Sequence, residues 1–592
     1  MGMAYQAPIR DIMFNIEHLS SWPQVISLGP YSEIDQTDAL AALEAYGRFC
    51  SEVITPLSTV GDKIAAWFDG KKVVMPEPFE QAYAQFVEMG WQSLTHPAEH
   101  GGMGFPRVVG AAATEILNAA DMSFGLCPLL TDGAIDALLI SGSEEQKKRY
   151  LEPLISGRWS GTMNLTEPQA GSDLGQVRCK AEPQDDRSFA ITGTKIFITY
   201  GEHDLSENII HLVLARTPDA PAGSKGLSLF IVPKYLVQDD GSLGNRNSVK
   251  CVSIEHKLGV RASPTVVLEY DEATGFLVGN ENHGLEYMFV MMTSARFSVG
   301  VQGVAISERA FQHALDFAQD RVQGRPVDGT SKEAVPIVQH PDVRRMLLRM
   351  SALVEAGRAL TMATAGWLDL AQNSAEELSH SANLLAEFLV PLVKGYCTER
   401  SIEVTSLGLQ IHGGMGFIEE TGVAQLYRDA RILPIYEGTT SIQANDLLGR
   451  KVMRDGGDVA RHFSGLVEET EALLRNGSPK AQIIAERLAE ARAAFDTSLE
   501  WLLKTAQNDI TSAYAGSVPF LTIAGNLAAG WQLGRSVLIA ESQLNQGKDA
   551  EFMSKKIATT HFYAQHILIE CTAECTRIIE GSASIFDPNF QL

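Results

Sequence analysis

Met163-Asn-Leu-Thr-Glu-Pro-Gln-Ala-Gly-Ser-Asp173 is where the chain changes its period. Before it, apolar residues recur at three and four over 39–53, 78–89, 108–119 and 135–140, which predicts helices. Ser143-Glu-Glu-Gln146 opens one more, to Leu154, with a capping-type start. From 162 onward the runs are short and β-rich: 162–165, 189–191, 195–200, 209–215, 226–232, 251–255 and 265–270, divided by Gly, Pro, Asp and Ser. They predict an antiparallel β domain, with 238–247 as a polar loop. Long helical patterns return from Glu286 to about Lys451, broken at 323–336 and 412–421. Amphipathic stretches follow at 459–474, 480–506, 519–543 and 552–579, and one short helix, 10–19, lies near the start. The reading is an α+β chain: an N-terminal arm (1–36), an N-terminal helical domain (37–159), a middle antiparallel β domain (160–280), a C-terminal four-helix-type domain (281–455) and an added helical domain (456–592).

The 592 residues carry a net charge of −24, which argues against nucleic acid or an anionic membrane as partner. The seven scattered cysteines form no CxxC pair and no even framework, and no HExxH is present, so no metal is expected. P-loop, GxGxxG and GxSxG signatures are missing. The N-terminus has no signal-peptide pattern and no run reads as a bilayer span, so a cytoplasmic protein is expected.

Three stretches carry chemistry. In 163–173 a strand ends in a loop of small and hydroxyl residues. Its free N–H groups and the Thr166 and Ser172 hydroxyls suit a heterocycle edge and a pyrophosphate, or simply an Asx-type strand turn. In Lys195-Ile-Phe-Ile-Thr-Tyr-Gly201, Phe197 and Thr199 share a strand face, fit for a flat ring or for ordinary half-burial. In Leu433-Pro-Ile-Tyr-Glu-Gly-Thr-Thr-Ser-Ile-Gln-Ala444, Glu437 sits among apolar residues before a Gly turn and a hydroxyl-capped helix. A carboxylate there is either a helix-entry charge or a base whose pKa desolvation raises.

TEPxAGSD, KxFIT, GGMGF and YEGT, in this order over about 40–450, resemble the acyl-CoA dehydrogenase family. The long arm and C-terminal segment are similar to its large bacterial branch, which includes 3-methylmercaptopropionyl-CoA dehydrogenase and long fatty-acyl-CoA dehydrogenases. The resemblance implies bound FAD and α,β-dehydrogenation of an acyl-CoA thioester to the trans-2-enoyl-CoA. By position it implies FAD contacts from Met163, Leu165, Thr166, Phe197, Ile198 and Thr199, and from Ser172 on the pyrophosphate side. Arg321, Gln323, Gln410, Gly413 and Gly414 would reach the FAD pyrophosphate of a neighbouring subunit, and Thr439 and Ser441 would touch the FAD on the far side of Glu437. Ser172, Lys225, Arg296, Tyr436 and Gly438 would meet the CoA substrate, and 124–130 would line the acyl tail.

The implied chemistry has Glu437 removing the α-proton while the β-hydrogen leaves as hydride to flavin N5. Met291-Met-Thr-Ser-Ala-Arg296 offers no carboxylate beside Arg296 to replace it. There are departures: Thr293 stands where many members have Asp, Ser441 replaces a common Gln, and 321–326 lacks the usual Phe. The implied substrate is 3-methylmercaptopropionyl-CoA, as in dimethylsulfoniopropionate demethylation, or a fatty acyl-CoA of β-oxidation. The implied acceptor is an electron-transfer flavoprotein, and the implied assembly a homodimer. An acyl-CoA oxidase using O₂, and a non-catalytic scaffold on the same fold, are the competing readings.

Overall fold

A computed structural model describes residues 5–589, apart from the side chains of Ser582 and Ala583. Residues 1–4 of the predicted arm lie outside the described part. The chain gathers into two compact units, one of 45–105 and 120–295, the other of 5–44, 106–119 and 296–589.

In the first unit, helices Thr55–Ile64, Glu77–Glu88, Met122–Ser141 and Glu144–Ile155 accompany a β domain. Helix Glu144–Ile155 starts in the predicted capping box: Ser143 Oγ accepts from Gln146 N, and the Gln146 side chain accepts from Ser143 N. The strands are β1 (Trp67–Phe68), β2 (Val73–Val74), β3 (Trp159–Asn164), β4 (Lys180–Pro183), β5 (Phe189–Thr199), β6 (Asn208–Ala215), β7 (Ser228–Pro233), β8 (Tyr235–Val237), β9 (Leu243–Arg246), β10 (Val249–Ile254) and β11 (Thr265–Val278). The main sheet has seven strands in the order β3-β6-β7-β11-β5-β4, with β10 also on β11.

Three expectations change here. The sheet is antiparallel except for β3, which runs parallel to β6, because the long connection 165–207 brings the chain back past β5. The stretch 238–247, expected as a loop, contains β9, which pairs with the preceding β8 as a hairpin around Asp239–Ser242. Its exposed polar residues gave no alternating apolar signal. β5 also runs unbroken through Gly193, where two strands were expected.

The second unit is helical. Gly284–Asp320 from Arg296 onward, Pro341–Asn373 and Glu376–His412 are the long members, with Arg107–Ala120 and the arm helix Ile9–Leu19 joined to them through Glu115 and Asp11. The segment after Gly457 adds Asp458–Leu474, Pro479–Ala506, Ser517–Asn545 and Ala550–Tyr563. Its central helix, Ser517–Asn545, lies on both Pro341–Asn373 and Glu376–His412. Gly525 meets the Tyr396 ring and Gly395 meets Leu521, so two glycines permit close approach at that crossing. Tyr396 and Tyr563 share a hydroxyl hydrogen bond of 2.8 Å.

A buried ionic cluster ties this unit together. Arg358 pairs with Glu115 at 2.5 Å and with Glu308 and Asp11 at 2.6 Å each, and Lys556 pairs with Asp11 and Glu355. The five carrier helices include both the arm and the added segment. Burial pushes the Asp11 carboxyl up, but the Lys556 and Arg358 cations outweigh it and bring it down to about 2.

Helices Met122–Ser141 and Gly284–Asp320 are long and apolar enough to cross a membrane, contrary to the expectation that no run would be. Their most apolar windows are 78% and 61% buried in the protein, the setting of core helices.

Candidate active site

In the first unit, β3 sorts its side chains by alternation. Thr162 and Asn164 are buried, while Met163 and Leu165 are half-buried. Tyr270 Oη donates to Asn164 Oδ1 at 2.9 Å, Asn164 Nδ2 donates to Thr162 Oγ1 at 2.8 Å, and Thr162 lies 2.7 Å from His211 Nδ1. Burial brings the His211 imidazole down to about 3, so the ring in this chain of bonds is neutral.

The loop that follows is held by a buried ion pair. Lys195 Nζ donates to Glu167 Oε1 at 2.8 Å and to Leu165 O at 3.0 Å, and Arg178 N and Cys179 N donate to the same carboxylate. Burial pushes Glu167 up, yet Lys195 and the backbone donors outweigh it and hold the carboxyl below its ordinary range. Thr166 O accepts from Ile196 N at 2.9 Å, so Leu165 and Thr166 are fixed beside β5.

β5 departs from regular alternation here. Val266 pairs with Ile198 but Leu268 with Lys195, which inserts one extra residue on β5. Phe197 takes φ +59° in that bulge and is 60% exposed, whereas Ile198 is buried and Thr199 half-buried. Bulges of this kind re-aim a side chain. Ser172 is exposed, and an added Cβ on neighbouring Gly171 would meet nothing within 4 Å. Arg216 donates to Gly175 O and Gly223 O at 2.8 Å each, which clips the Ser172 loop to the turn carrying exposed Lys225.

In the second unit, Glu437 and Gly438 both take left-handed backbone, φ +53° and +89°. Thr439 caps helix Thr440–Asp446 by accepting from Ile442 N. Gln443 Nε2 donates to Glu437 O at 3.1 Å and stands where a Gly438 Cβ would go. Tyr436 Oη donates to Gln302, whose amide donates in turn to Asn118 at 2.9 Å. Burial raises the Glu437 carboxyl, against the pull of Arg296 and Lys394, to about 7. Leu433 is fully buried as expected, but Ile435 is 46% exposed.

Arg296 is buried, 3.6 Å from Asp446, and its Nε has no hydrogen-bond partner among the described residues. Lys394 Nζ donates to Gly438 O at 2.5 Å. Sequence reasoning passed over Lys394, although a lone cation within the apolar run 388–397 is a usable signal.

Arg321 and Gln323 lie exposed in a bridged loop, where Ile337 N donates to Arg321 O at 2.8 Å and Gln323 N to Val335 O at 3.0 Å. Gln410, Gly413 and Gly414 are exposed at the end of Glu376–His412, and Gly413 turns with φ +59°. Neither glycine has anything within 4 Å of an added Cβ. Ser441 is exposed at the start of its helix. The structure thus brings together Met163, Leu165, Thr166, Phe197, Ile198 and Thr199 in one unit. In the other it brings together Arg296, Tyr436, Glu437, Gly438 and Thr439.

An outward aromatic on a bulged strand and glycine cradles open to solvent suit a flat ring bearing phosphates, which is the shape of FAD. Family models for the N-terminal, middle and C-terminal domains of acyl-CoA dehydrogenase match 36–158, 162–273 and 282–452, and an acetyl-CoA dehydrogenase C-terminal-like model matches 463–588. The chain is 69% identical to 3-methylmercaptopropionyl-CoA dehydrogenase of Ruegeria pomeroyi, over 98% of this chain and 99% of that one. It is 35% identical to the broad-specificity linear acyl-CoA dehydrogenase FadE5 of Mycobacterium tuberculosis, over 95% of each. A solved acyl-CoA dehydrogenase from Bacillus anthracis, complexed with FAD, shares the fold with TM-score 0.74 and 21% identity over 95% of this chain and 91% of that one. The chain belongs to the acyl-CoA dehydrogenase family and is an FAD-dependent enzyme that acts on acyl-CoA thioesters.

Proposed function

We propose that Glu437 is the base that takes the α-proton, and that the acyl group is 3-methylmercaptopropionyl. The observation that carries the first half is the Glu437 carboxyl at about 7, held on a left-handed turn. A base is effective when its pKa lies near the working pH, and an ordinary solvated Glu is too weak for a thioester α-carbon. Substrate binding removes more water from this carboxylate and strengthens it further. Hydrogen-bond donors at the thioester oxygen stabilise the charge that develops as the proton leaves, and the Glu437 backbone N–H is the chain's own donor for that place. Bound FAD supplies the acceptor for the β-hydrogen and its electron pair.

Leu165, Thr166 and Thr199 hold the flavin edge in this reading, Phe197 covers its ring, and Ser172 and Lys225 meet CoA. Arg321, Gln323, Gln410, Gly413 and Gly414 serve the neighbouring subunit's pyrophosphate. The near full-length 69% identity to the Ruegeria enzyme supports the substrate. Phe124, Leu126 and Leu129 are buried on the Met122–Ser141 helix beside the small Gly125, an apolar lining that suits a short thioether tail. The enzyme works in the cytoplasm as a homodimer and passes electrons to an electron-transfer flavoprotein.

Anaerobic flavin bleaching across a panel of acyl-CoAs tests this. Wild type should bleach fastest with 3-methylmercaptopropionyl-CoA. Glu437→Gln should keep its flavin and lose at least the ~10²–10⁴ of a general base. The wild-type rate should rise with pH through about 7, because only the carboxylate accepts a proton. A Gln variant within a few-fold of wild type would remove Glu437 from the mechanism. Peroxide release equal to turnover in air, with no gain from a one-electron acceptor, would make the protein an oxidase.

A further inference from the structure

We infer that Lys394 is a positioning residue for the base: it pins the Glu437–Gly438 turn through the Gly438 carbonyl and sets the charge that Glu437 feels. The inference rests on the reading of Glu437 as base. Lys394 lies on helix Glu376–His412 with its side chain wholly buried. A buried ammonium is expensive unless it is bonded and paired. Lys394 Nζ donates to Gly438 O at 2.5 Å. That carbonyl belongs to the residue after the base, in a turn of two consecutive left-handed residues. Non-glycine residues avoid that conformation, so Glu437 keeps it only if neighbours hold it. Lys394 holds the turn at Gly438 O and Gln443 holds it at Glu437 O.

The second role is electrostatic. Two cations lower the Glu437 carboxyl through space against burial: Arg296, from helix Gly284–Asp320, and Lys394. Asp446 engages Arg296 and leaves Lys394 free of that pairing. Glu399, one turn further along the Lys394 helix, accepts from Thr440 and adds negative charge near Lys394. Tyr436 beside the base is neutral, because burial raises its phenol far above the ordinary range. Burial brings the Lys394 ammonium down to about 8, while Glu437 and Glu399 resist that fall. The base therefore sits between an opposing burial penalty and two cations, one of which can itself lose its proton near working pH.

Holoenzyme variants separate the two roles. Lys394→Gln keeps a donor for Gly438 O without the charge, and Lys394→Arg keeps the charge. The Glu437 carboxyl is followed by its protonated C=O infrared band, isolated by subtracting Glu437→Gln, as pH is varied without substrate. Lys394→Gln should move the midpoint up by ~1 unit, since a nearby cation favours the ionised form. The acid limb of flavin bleaching should move with it, with flavin content unchanged. A midpoint unmoved in a folded, flavin-bound Gln variant would overturn the inference. If that variant does not fold, Lys394→Arg decides: with the charge kept, the Glu437 midpoint should stay at its wild-type place, and a rise of ~1 unit or more would overturn the idea. A Glu437→Gln enzyme that still bleaches would defeat the base reading alone, because the infrared midpoint shows how Lys394 acts on the Glu437 carboxyl whether or not that carboxyl takes the substrate's proton.

Discussion

Glu437 at φ +53° and Phe197 at φ +59° each occupy backbone that side chains with a Cβ avoid. Such strain costs of order 1–3 kcal/mol per residue and persists where the surroundings over-determine it. For Phe197 the surroundings are a strand bulge and a loop fixed by Lys195 and Glu167; for Glu437 they are Lys394 and Gln443. Arg321 presents the opposite case, an exposed cation with no ion-pair partner among the described residues. If it serves a neighbouring subunit's pyrophosphate, Arg321→Ala should lower flavin retention through dialysis and weaken the dimer together, since charge-assisted bonds to phosphate are strong. Full flavin content with unchanged mass by light scattering would count against that role. At this scale the sequence shows residue types in order, which is how the setting of Glu437 was legible. Left-handed backbone at a non-glycine residue leaves no mark in the sequence, and neither does the partner a lone buried lysine will find.

At the scale of elements, regular periods were readable and irregular ones were not. The long helices and the capping box at Ser143 follow from spacing that one burial face imposes. The β8–β9 hairpin has no buried face to impose spacing, so its residues read as loop. The β5 bulge escaped for a related reason: one inserted residue leaves Lys195 and Ile198 both buried, three apart, against the alternation of two. Glycines show the same limit, since their number in a helix does not say which are crossed closely. Gly525→Ala should lower stability by ~1–3 kcal/mol, because the new methyl would lie 2.7 Å from the Tyr396 Cβ, which cannot move away cheaply. Gly465→Ala, with nothing within 4 Å in helix Asp458–Leu474, should be neutral or stabilising by up to ~1 kcal/mol. Thermal unfolding of the two variants checks the contrast; equal shifts would mean that the Ser517–Asn545 crossing is looser than described.

At the scale of the whole molecule, the segment after Gly457 is built into the second unit. Helix Ser517–Asn545 packs along two long bundle helices, and we propose that the surface it covers is the one a second dimer would need. We therefore expect the intact chain to stop at a dimer. A chain ending near Asp455 should aggregate or form larger assemblies, because Tyr396, Gly395 and their neighbours would face water. Light scattering on both chains decides this: a tetramer for the intact protein, or a soluble dimer for the short one, would refute it.

The cluster around Arg358 and Lys556 adds a consequence for how such a chain could have been acquired. Asp11 from the arm meets Arg358 from the bundle and Lys556 from the far end of the chain. Removing one member of a buried ion pair typically costs ~3–5 kcal/mol, because its partner's charge is left stranded. The two extremities are therefore bound as a single inheritance. A descendant that discarded the arm would leave Lys556 of the tail with Glu355 alone, and a grafted tail would bring its cation to a cluster short of one anion. Among relatives of varied length, arm and tail should come and go as a pair.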